Sequence, residues 1–383
     1  MKIALPCPGL EHVQRGFETY TRELFGALED RCDVHLIKSS GQRATRVHVV
    51  PTLRRTSRVL GLLPHRWQTE FRRLQIECTL FALGMAPLLW REKFDVIHFS
   101  EVPLGRALLW LRRRFGFRYR LLFSNGGPWP PWDCASFDAV HQVSPAHAAA
   151  GREFGLPAER CFLVPYGTER ARLQAPAQFD RLVARRGWGL PDQGLVVLSL
   201  AALNRHHKRI DWLIAEFARL EAVPAYLVLA GNREAETAAL EELAARLLPR
   251  RNFRFLQIPY DEVPTLLRAA DVLVQCSLEE GFGRVYTEAM GAGVPLLAHP
   301  HLTARWIIGN PDCFVDMTRP GQLAAKLNGL AQNLPLRQGM AERNRDSFRR
   351  FEWENLTPEY LQMYERVCAL PPKSRLRAGP KVR

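Results

Sequence analysis

Short apolar runs rich in valine, isoleucine and leucine alternate with longer amphipathic segments along the whole chain. Such continuous apolar runs are typical of parallel strands buried on both faces, and the segments between them have the helical period of about 3.6 residues. Helical crossovers that join parallel strands give an α/β architecture. We therefore predict an α/β fold built from parallel sheets.

The strands predicted from these runs fall into two groups. The first group is Lys2–Leu5, Val34–Ile37, Val47–Val50, Val96–Phe99, Arg120–Phe123, Ala139–Val143 and Phe162–Val164. The second group is Leu195–Leu200, Tyr226–Ala230, Phe253–Leu256, Val272–Gln275 and Pro295–Ala298. Glycines and prolines interrupt the pattern between the groups, from Pro165 to Asp192, and we predict the domain junction there.

The two groups of strands predict two domains joined in sequence. We expect an N-terminal Rossmann-like lobe over 1–170, a linker over 171–194 and a C-terminal Rossmann-like lobe over 195–345. Residues 346–370 are expected to form closing helices. The basic segment 371–383 has too few apolar residues to bury in a core of its own, so we expect a disordered tail.

The composition agrees with two domains and excludes a membrane-spanning protein. The chain has 383 residues, 47% of them apolar, whereas single cores seldom grow beyond about 250–300 residues. The longest apolar run, Cys78–Trp90, is shorter than the roughly 20 residues that a spanning helix needs. The N-terminus lacks the apolar stretch of a secretory signal, and the 8 cysteines are scattered without metal or disulfide spacing. We therefore expect a cytoplasmic protein with reduced cysteines.

The net charge of +14 and the isoelectric point near 9.8 indicate an anionic partner. Nucleic acid is disfavoured, because few aromatic residues are interleaved with the basic ones and no DNA-binding motif is present. Two basic amphipathic segments, Arg54–Arg73 and Leu108–Arg114, are suited to an anionic membrane surface. In the alternative interpretation their apolar faces pack in the core and their arginines are simply solvated. A peripheral position on the inner face of a membrane therefore stays open.

Residues 271–298 contain a predicted strand, a glycine-rich turn, a short helix begun near Arg284 and another strand. Gly281 and Gly283 let the backbone approach a ligand closely, and the N–H groups at the helix start are suited to a diphosphate. Glu280 precedes the turn, and Glu288 lies about one helical turn beyond its end. Carboxylates accept hydrogen bonds from vicinal hydroxyls, so the pattern favours sugar recognition over two solvated charges at a helix start.

The stretch Glu280-Gly-Phe-Gly-Arg-Val-Tyr-Thr-Glu288 resembles the signature of glycosyltransferase family 4. That resemblance implies a GT-B fold, with two Rossmann-like lobes facing across a cleft and C-terminal helices returning to the first lobe. It also implies a retaining, nucleotide-sugar-dependent enzyme, with the donor in the C-terminal lobe and the acceptor in the N-terminal lobe. Within the family, the first glutamate contacts the donor sugar and the second contacts the ribose. These roles correspond here to Glu280 and Glu288.

The same resemblance implies further donor residues. The amides of the turn at Gly281, Phe282, Gly283 and Arg284 would hold the diphosphate. The loop after Val196–Leu200 is similar to the family's phosphate-gripping loop, so Lys208 is expected to stabilise the leaving group. This chain has Ala201 and Ala202 where the family usually has Gly-Arg, and Arg205 is either a substitute for that arginine or a surface charge.

Five further positions are candidates through the resemblance. Gly231 ends a strand beside the donor, although a tight turn explains this glycine equally well. Ile258 lies in the loop that reads the base. Gly16 lies in the first glycine-rich loop, Gln14–Thr19, although glycine is common in any turn from a strand to a helix. On the acceptor side, Asn125 stands where many members have a histidine. His98 is also a candidate there, although a structural histidine is the favoured interpretation.

The implied reaction is hexosyl transfer from a UDP-, GDP- or ADP-sugar to an acceptor hydroxyl, in cell-surface polysaccharide or glycolipid biosynthesis. The acceptor would be a saccharide or a lipid-linked molecule, and no cofactor is implied. The chain has no Asp-x-Asp pair, so we expect no metal site. The alternatives are a non-catalytic GT-B protein that uses its basic surface to bind an anionic partner or membrane, and a phosphorylase, which would usually require a longer chain.

Overall fold

A computed structural model describes residues 1–13, 16–62, 64, 67–127, 130–220 and 224–371. The helices are α1 Gly16–Leu28, α2 Glu70–Glu92, α3 Val102–Phe115, α4 Pro131–Cys134, α5 Pro145–Glu153, α6 Arg170–Leu173, α7 Arg181–Gly187, α8 Ile210–Phe217, α9 Thr237–Leu247, α10 Val263–Ala269, α11 Arg284–Ala292, α12 Leu302–Ile308, α13 Gln322–Gln332, α14 Leu334–Phe348 and α15 Trp353–Ala369.

The first sheet is formed by strands of the N-terminal half. These are β1 Lys2–Cys7, β2 Asp33–Lys38, β3 Val47–Val49, β4 Val96–Phe99, β5 Arg120–Asn125, β6 Ala139–Gln142 and β7 Cys161–Leu163. All of them pair in parallel in the order β3-β2-β1-β4-β5-β6-β7. The order reverses between β1 and β4, as in doubly wound sheets.

The second sheet is smaller and is also a parallel sheet with one reversal of strand order. Its strands are β8 Leu195–Leu200, β9 Ala225–Ala230, β10 Phe253–Leu256, β11 Val272–Gln275 and β12 Leu296–Ala298. They pair in parallel in the order β10-β9-β8-β11-β12, so the reversal falls between β8 and β11. Every predicted strand is present, with ends that move by at most two residues, and the predicted α/β class is confirmed.

Three aspartates fix neighbouring strands by the same device. Asp95, Asp138 and Asp271 each stand immediately before a strand and accept the backbone N–H near the start of the adjacent strand. The N–H groups belong to Lys2 (2.7 Å), Leu121 (2.8 Å) and Val196 (2.7 Å). The bonds from Leu121 and Val196 are buried, where an N–H needs a partner, and a carboxylate is a strong acceptor. This recurring hydrogen bond aligns neighbouring strands at the amino ends of both sheets.

The structure divides the chain into two compact units. The first unit comprises Met1–Gly167 and the chain from Trp353, and the second comprises Thr168–Glu352. Residues 171–194, where we expected a linker, instead lie in the second unit and contain most of α6 and all of α7. Arg185 on α7 is buried and forms an ion pair with Asp271 at 2.6 Å, which attaches this segment to the sheet.

The C-terminal segment also differs from its expected boundaries. Residues 346–352 belong to the second unit, and α15, which begins at Trp353, packs in the first unit against α1 and the strands β4 and β5. The tail expected over 371–383 lies outside the described residues except for its first position. Within the described ranges, no helix has both the length and the apolar character required to cross a bilayer.

Candidate functional site

The candidate site lies at the reversal point of the second sheet. There β8 pairs with β9 on one side and β11 on the other, so the loops that follow β8 and β11 lie next to each other at the carboxyl edge. Open α/β sheets bind ligands in this crevice, because the chains leaving the two strands turn to opposite faces. The predicted residues Lys208 and Glu280 are carried by these two loops.

Asn204 organises the loop that carries Lys208. Its buried side-chain oxygen accepts the backbone N–H of His207 (3.2 Å) and of Lys208 (2.8 Å). Its amide nitrogen donates to Glu234 at 3.0 Å. This side chain therefore sets the path of the loop and the starting direction of the lysine. Sequence analysis missed Asn204, because its role depends on contacts with a segment 30 residues away.

Lys208 donates a hydrogen bond to the Glu280 carboxylate in a largely buried ion pair, with side chains 18% and 9% exposed. His207 approaches the same carboxylate at 3.9 Å. Burial alone would raise the pKa of Glu280, but the positive charge and the hydrogen bond of Lys208 outweigh it and lower that pKa. The site therefore holds a lysine and an ionised glutamate in contact.

The glycine turn after Glu280 leads directly into α11. Gly283 has φ +80°, and an added Cβ there would lie 2.6 Å from the ring of Tyr286, which is fully buried. Glycine is therefore required for the turn to pack against the helix that it begins. Phe282 points its ring inward toward Phe351, with centroids 6.0 Å apart. The first N–H groups of a helix have no intrahelical acceptor, so the start of α11 at Arg284 is suited to anions.

Glu288 lies on α11 one turn beyond Arg284, with its side chain only 7% exposed. Arg172 donates to it at 2.8 Å, and the hydroxyl of Tyr260 donates at 3.4 Å. The Arg172 guanidinium also lies over the Tyr260 ring, 4.1 Å from its centroid. Buried Nε and Nη1 atoms of Arg172 have no hydrogen-bond partner among the described residues. Sequence analysis missed Arg172, because it stands in the segment interpreted as a linker.

His301 is a third residue near the site that sequence analysis missed. Burial lowers its pKa to about 4, although the negative charge of Glu280 acts in the opposite direction. Its Nδ1 accepts the N–H of Ala304 (3.3 Å), and its Nε2 lies 3.4 Å from the Tyr286 hydroxyl. The ring is therefore neutral near physiological pH and does not add a charge to the site.

Two other predicted donor residues lie at the same edge of the sheet. Gly231 follows β9 with φ +151°, and an added Cβ would lie 1.8 Å from the carbonyl oxygen of Ala201. The glycine is therefore needed for the loops after β8 and β9 to touch. Ile258 lies half-buried in the loop after β10.

Arg205 does not join Lys208 and Glu280. Its side chain is exposed and donates to the carbonyl oxygen of Ala239 on α9, while its backbone N–H donates to Glu236 at 2.8 Å. The structure thus favours the surface-charge interpretation of Arg205.

The remaining predicted residues lie in the first unit. Gly16 begins α1, and Gln14 and Arg15 of the same loop lie outside the described residues. Asn125 ends β5 and donates to Gln142 at 3.0 Å, while its buried Oδ1 has no described partner. His98 is 4% exposed and lies 2.8 Å from the Tyr364 hydroxyl and 3.2 Å from His141. Burial lowers its pKa well below the ordinary value, which fits the structural role favoured for it.

A charged cluster that sequence analysis missed lies near the reversal point of the first sheet. Glu77 on α2 is fully buried and receives hydrogen bonds from Arg55, at the backbone N–H (3.1 Å) and at Nε (2.5 Å). His12 lies 2.8 Å from the same carboxylate, and Glu101 lies 3.6 Å from the Arg55 guanidinium. His12 follows β1 and Glu101 follows β4, so the cluster occupies the position that in α/β sheets binds ligands.

Metal binding has no obvious location in the part of the chain that the structure describes. No group of three or more histidine, cysteine, aspartate or glutamate side chains there is arranged to hold a metal ion.

Two protein-family models match the chain, and together they cover most of it. Residues 14–172 match the model described as Glycosyltransferase Family 4. Residues 180–347 match the model described as Glycosyl transferases group 1. The division between the two matches falls close to the boundary between the two structural units.

A curated relative is D-inositol 3-phosphate glycosyltransferase from Corynebacterium urealyticum, which is 29% identical over 215 residues, 54% of this chain and 49% of the relative. The chain spans about half the length of the curated relatives it matches.

Solved structures resemble nearly the whole chain. Sucrose-phosphate synthase from Thermosynechococcus elongatus has a TM-score of 0.79 at 20% identity, covering 96% of this chain and 99% of that one. HepE from Anabaena in complex with UDP and glucose has a TM-score of 0.74 at 18% identity, covering 95% of this chain and 99% of that one. Both likenesses show the fold, which is GT-B, as the sequence predicted.

The lowered pKa of Glu280 predicts how the stability of the protein depends on pH. Since the folded pKa lies below the unfolded one, the ion pair with Lys208 stabilises the fold above the unfolded pKa and ceases to do so as pH falls through the folded pKa. We expect Glu280→Gln to lower the free energy of unfolding by about 3 kcal/mol near neutral pH, because it leaves Lys208 buried without a counter-charge.

Urea unfolding of wild type and Glu280→Gln across the acidic range checks this expectation. The difference between the two proteins should shrink as pH falls below the ordinary glutamate pKa. Glu242→Gln, an exposed change on α9, serves as the control and should match wild type throughout. A Glu280→Gln deficit that stayed constant with pH would contradict the ionised pair.

Proposed function

Because the chain belongs to glycosyltransferase family 4, we propose that it transfers a sugar from a nucleotide diphosphate donor to an acceptor hydroxyl. The observation that carries the proposal is the buried contact of Lys208 with Glu280 beside the start of α11. It combines a cation for phosphate, a carboxylate for hydroxyls and helix N–H groups for a diphosphate. HepE, which shares the fold, has been solved with UDP and glucose bound.

In the proposed donor complex, Glu280 accepts hydrogen bonds from the transferred hexose and Glu288 accepts them from the ribose. The amides from Gly281 to Arg284 hold the diphosphate, while Gly231 and Ile258 border the base and phosphate. Arg172 acts as a positioning residue, because its hydrogen bond fixes Glu288 on one carboxylate oxygen and leaves the other for hydroxyls. Arg205 has no part in the proposal, since its side chain is directed to Ala239.

In the proposed reaction, the acceptor oxygen forms a bond to the anomeric carbon while the bond from that carbon to the diphosphate oxygen breaks. The electron pair of the broken bond leaves on the diphosphate, and the acceptor proton passes to the departing phosphate oxygen. Lys208 stabilises the negative charge that gathers there. Retention at the anomeric carbon, hexose as the transferred group and independence of metal are parts of the proposal that rest on family membership.

The acceptor is proposed to bind in the first unit, at the cluster of His12, Arg55, Glu77 and Glu101. Paired carboxylates and a guanidinium at a sheet reversal point are suited to a polyhydroxylated molecule, because they offer both acceptors and donors. Asn125, with an unsatisfied buried Oδ1, is a further candidate for a hydroxyl contact. Saccharide acceptors and lipid-linked ones both fit this chemistry, as in cell-surface polysaccharide or glycolipid synthesis.

The outer face of α2 and α3 favours a lipid-linked acceptor at the cytoplasmic side of a membrane. An open groove of about 550 Å³ runs between the two helices, lined by Leu80, Leu83 and Trp110 among other apolar side chains. These three are 41%, 44% and 54% exposed, which is unusual for large apolar residues gathered on one face. The exposed residues Arg113 and Arg114 follow on α3, so apolar and cationic groups share this surface.

Two arginines expected on this surface are buried in ion pairs instead. Arg55 is bonded to Glu77, and Arg112 is bonded to Asp138 inside the first unit. Arg66 of the predicted basic segment lies outside the described residues. The proposed partner is an anionic membrane surface. Its acyl region would contact the apolar side chains, and its headgroups would contact the arginines.

Donor binding is tested by calorimetry with UDP, GDP and ADP in metal-free buffer. We expect one of the three to bind wild type, and we expect Glu288→Ala to weaken that binding at least about tenfold, because a charged acceptor for ribose hydroxyls is lost. Glu242→Ala is the control and should bind as wild type does. If the folded wild type bound none of the three, the non-catalytic alternative would replace the transferase.

Membrane association is tested by flotation with phosphatidylcholine vesicles that contain phosphatidylglycerol. We expect wild type to float with these vesicles and Leu83→Ser/Trp110→Ser to remain largely in the soluble fraction, since their apolar side chains no longer insert. Leu182→Ser/Val183→Ser removes two exposed apolar residues of α7 and is the matched control. Equal flotation of both double variants would exclude the α2–α3 groove as the membrane contact.

A further inference from the structure

A large cavity lies in the second unit, at the edge of its sheet opposite to Lys208 and Glu280. Its volume is about 820 Å³. Asp271 and Pro295, which immediately precede β11 and β12, lie on its wall, so the cavity opens at the amino ends of the strands. The candidate donor site is formed by loops at the carboxyl ends of the same sheet. The two locations are therefore distinct.

The wall of this cavity is strongly basic. It is lined by six arginines and three carboxylates, namely Arg170, Arg181, Arg268, Arg337, Arg345, Arg349, Asp271, Glu342 and Glu352. The floor is apolar and includes Leu173 and Phe348. Gly291 brings α11 against this floor, because an added Cβ would lie 2.5 Å from Leu173 and 2.8 Å from Phe348. The cavity thus combines an apolar base with an arginine rim.

Only some of these arginines are neutralised by carboxylates. Arg170 pairs with Glu352 at 3.2 Å, and Arg181 pairs with Asp271 at 2.7 Å. Asp271 is also bonded to Arg185 and to the N–H of Val196, so this one carboxylate is shared between two guanidinium groups. Excess positive charge therefore remains on the wall.

Arg268, Arg337 and Arg345 have no carboxylate partner in the described ranges. Arg268 donates to the carbonyl oxygen of Leu173 and lies over the Phe179 ring, 5.4 Å from its centroid. Arg345 lies across the end of α11. A Cβ added to Gly293 there would be 2.3 Å from the Arg345 guanidinium. The contacts with Leu173, Phe179 and Gly293 orient two of the guanidinium groups without cancelling their charge.

We propose that this cavity binds an organic phosphate that carries more than one negative charge. Guanidinium groups match phosphate oxygens in a planar, bidentate manner, and three of them without carboxylate partners border one cavity. The volume is in the range of cavities that hold ligands of nucleotide or phosphosugar size, and the apolar floor receives the organic part. The same chemistry belongs to a free phosphate ester and to the phosphate headgroup of a lipid.

The test uses the full chain carrying Lys208→Gln, so that binding of phosphate at the donor site is weakened in every sample. In this background, Arg337→Gln/Arg345→Gln removes two cavity charges. Arg246→Gln/Arg251→Gln removes the same charge from exposed positions of the second unit that do not line the cavity. Thermal unfolding is compared first, to verify that all three proteins are folded.

Titration with tripolyphosphate followed by calorimetry probes the free-phosphate source. We expect the cavity double variant to bind at least about tenfold more weakly than the parent, and the control double variant to remain within about twofold, because paired charge-assisted hydrogen bonds are lost only in the cavity. Flotation with phosphatidylcholine vesicles, with and without phosphatidic acid, probes the lipid source. Selective loss in the cavity variant in either assay supports the proposal and identifies the source. Equal behaviour of both double variants in both assays overturns it.

Discussion

The parallel pairing of β8 with β11 is the constraint on which the candidate site depends. These strands are neighbours in the sheet although β9 and β10 intervene in the sequence, so two loops 72 residues apart meet at one edge. The aspartate before β11 contributes to this pairing, because Asp271 accepts the N–H of Val196 on β8 and is itself paired with Arg185. Strand register at the amino edge thus fixes the geometry of Lys208 and Glu280 at the carboxyl edge.

In the proposed donor complex, contacts with the donor replace the direct contact between Lys208 and Glu280. Removing two charges from water is costly, and a buried ion pair seldom adds stability compared with apolar residues. Under the proposed function, ligand binding explains the pair: Lys208 exchanges a carboxylate for phosphate, and Glu280 exchanges an ammonium group for hydroxyls. Glu288 shows a similar arrangement, since Arg172 and Tyr260 already occupy one of its oxygens.

Much of the fold could be predicted because buried parallel strands have continuous apolar runs, and the turn from Glu280 to Glu288 is local in sequence. The parts that were missed depend on contacts between distant segments. Arg172 and Arg185 fall in a region rich in glycine and proline, where short helices have no sustained period. Asn204 and the pair of Arg55 with Glu77 become recognisable only when the chain is folded, because polar residues of this kind are usually exposed.

Lys208 is proposed to stabilise the departing diphosphate, and hydrolysis of the bound donor sugar tests this role without knowledge of the acceptor. Once the donor is identified, single-turnover release of nucleoside diphosphate is measured for wild type, Lys208→Ala and Arg205→Ala. We expect Lys208→Ala to lower the rate by about 10²–10³-fold at saturating donor, and Arg205→Ala to remain close to wild type. An unchanged rate in Lys208→Ala, or an equal loss in Arg205→Ala, would contradict it.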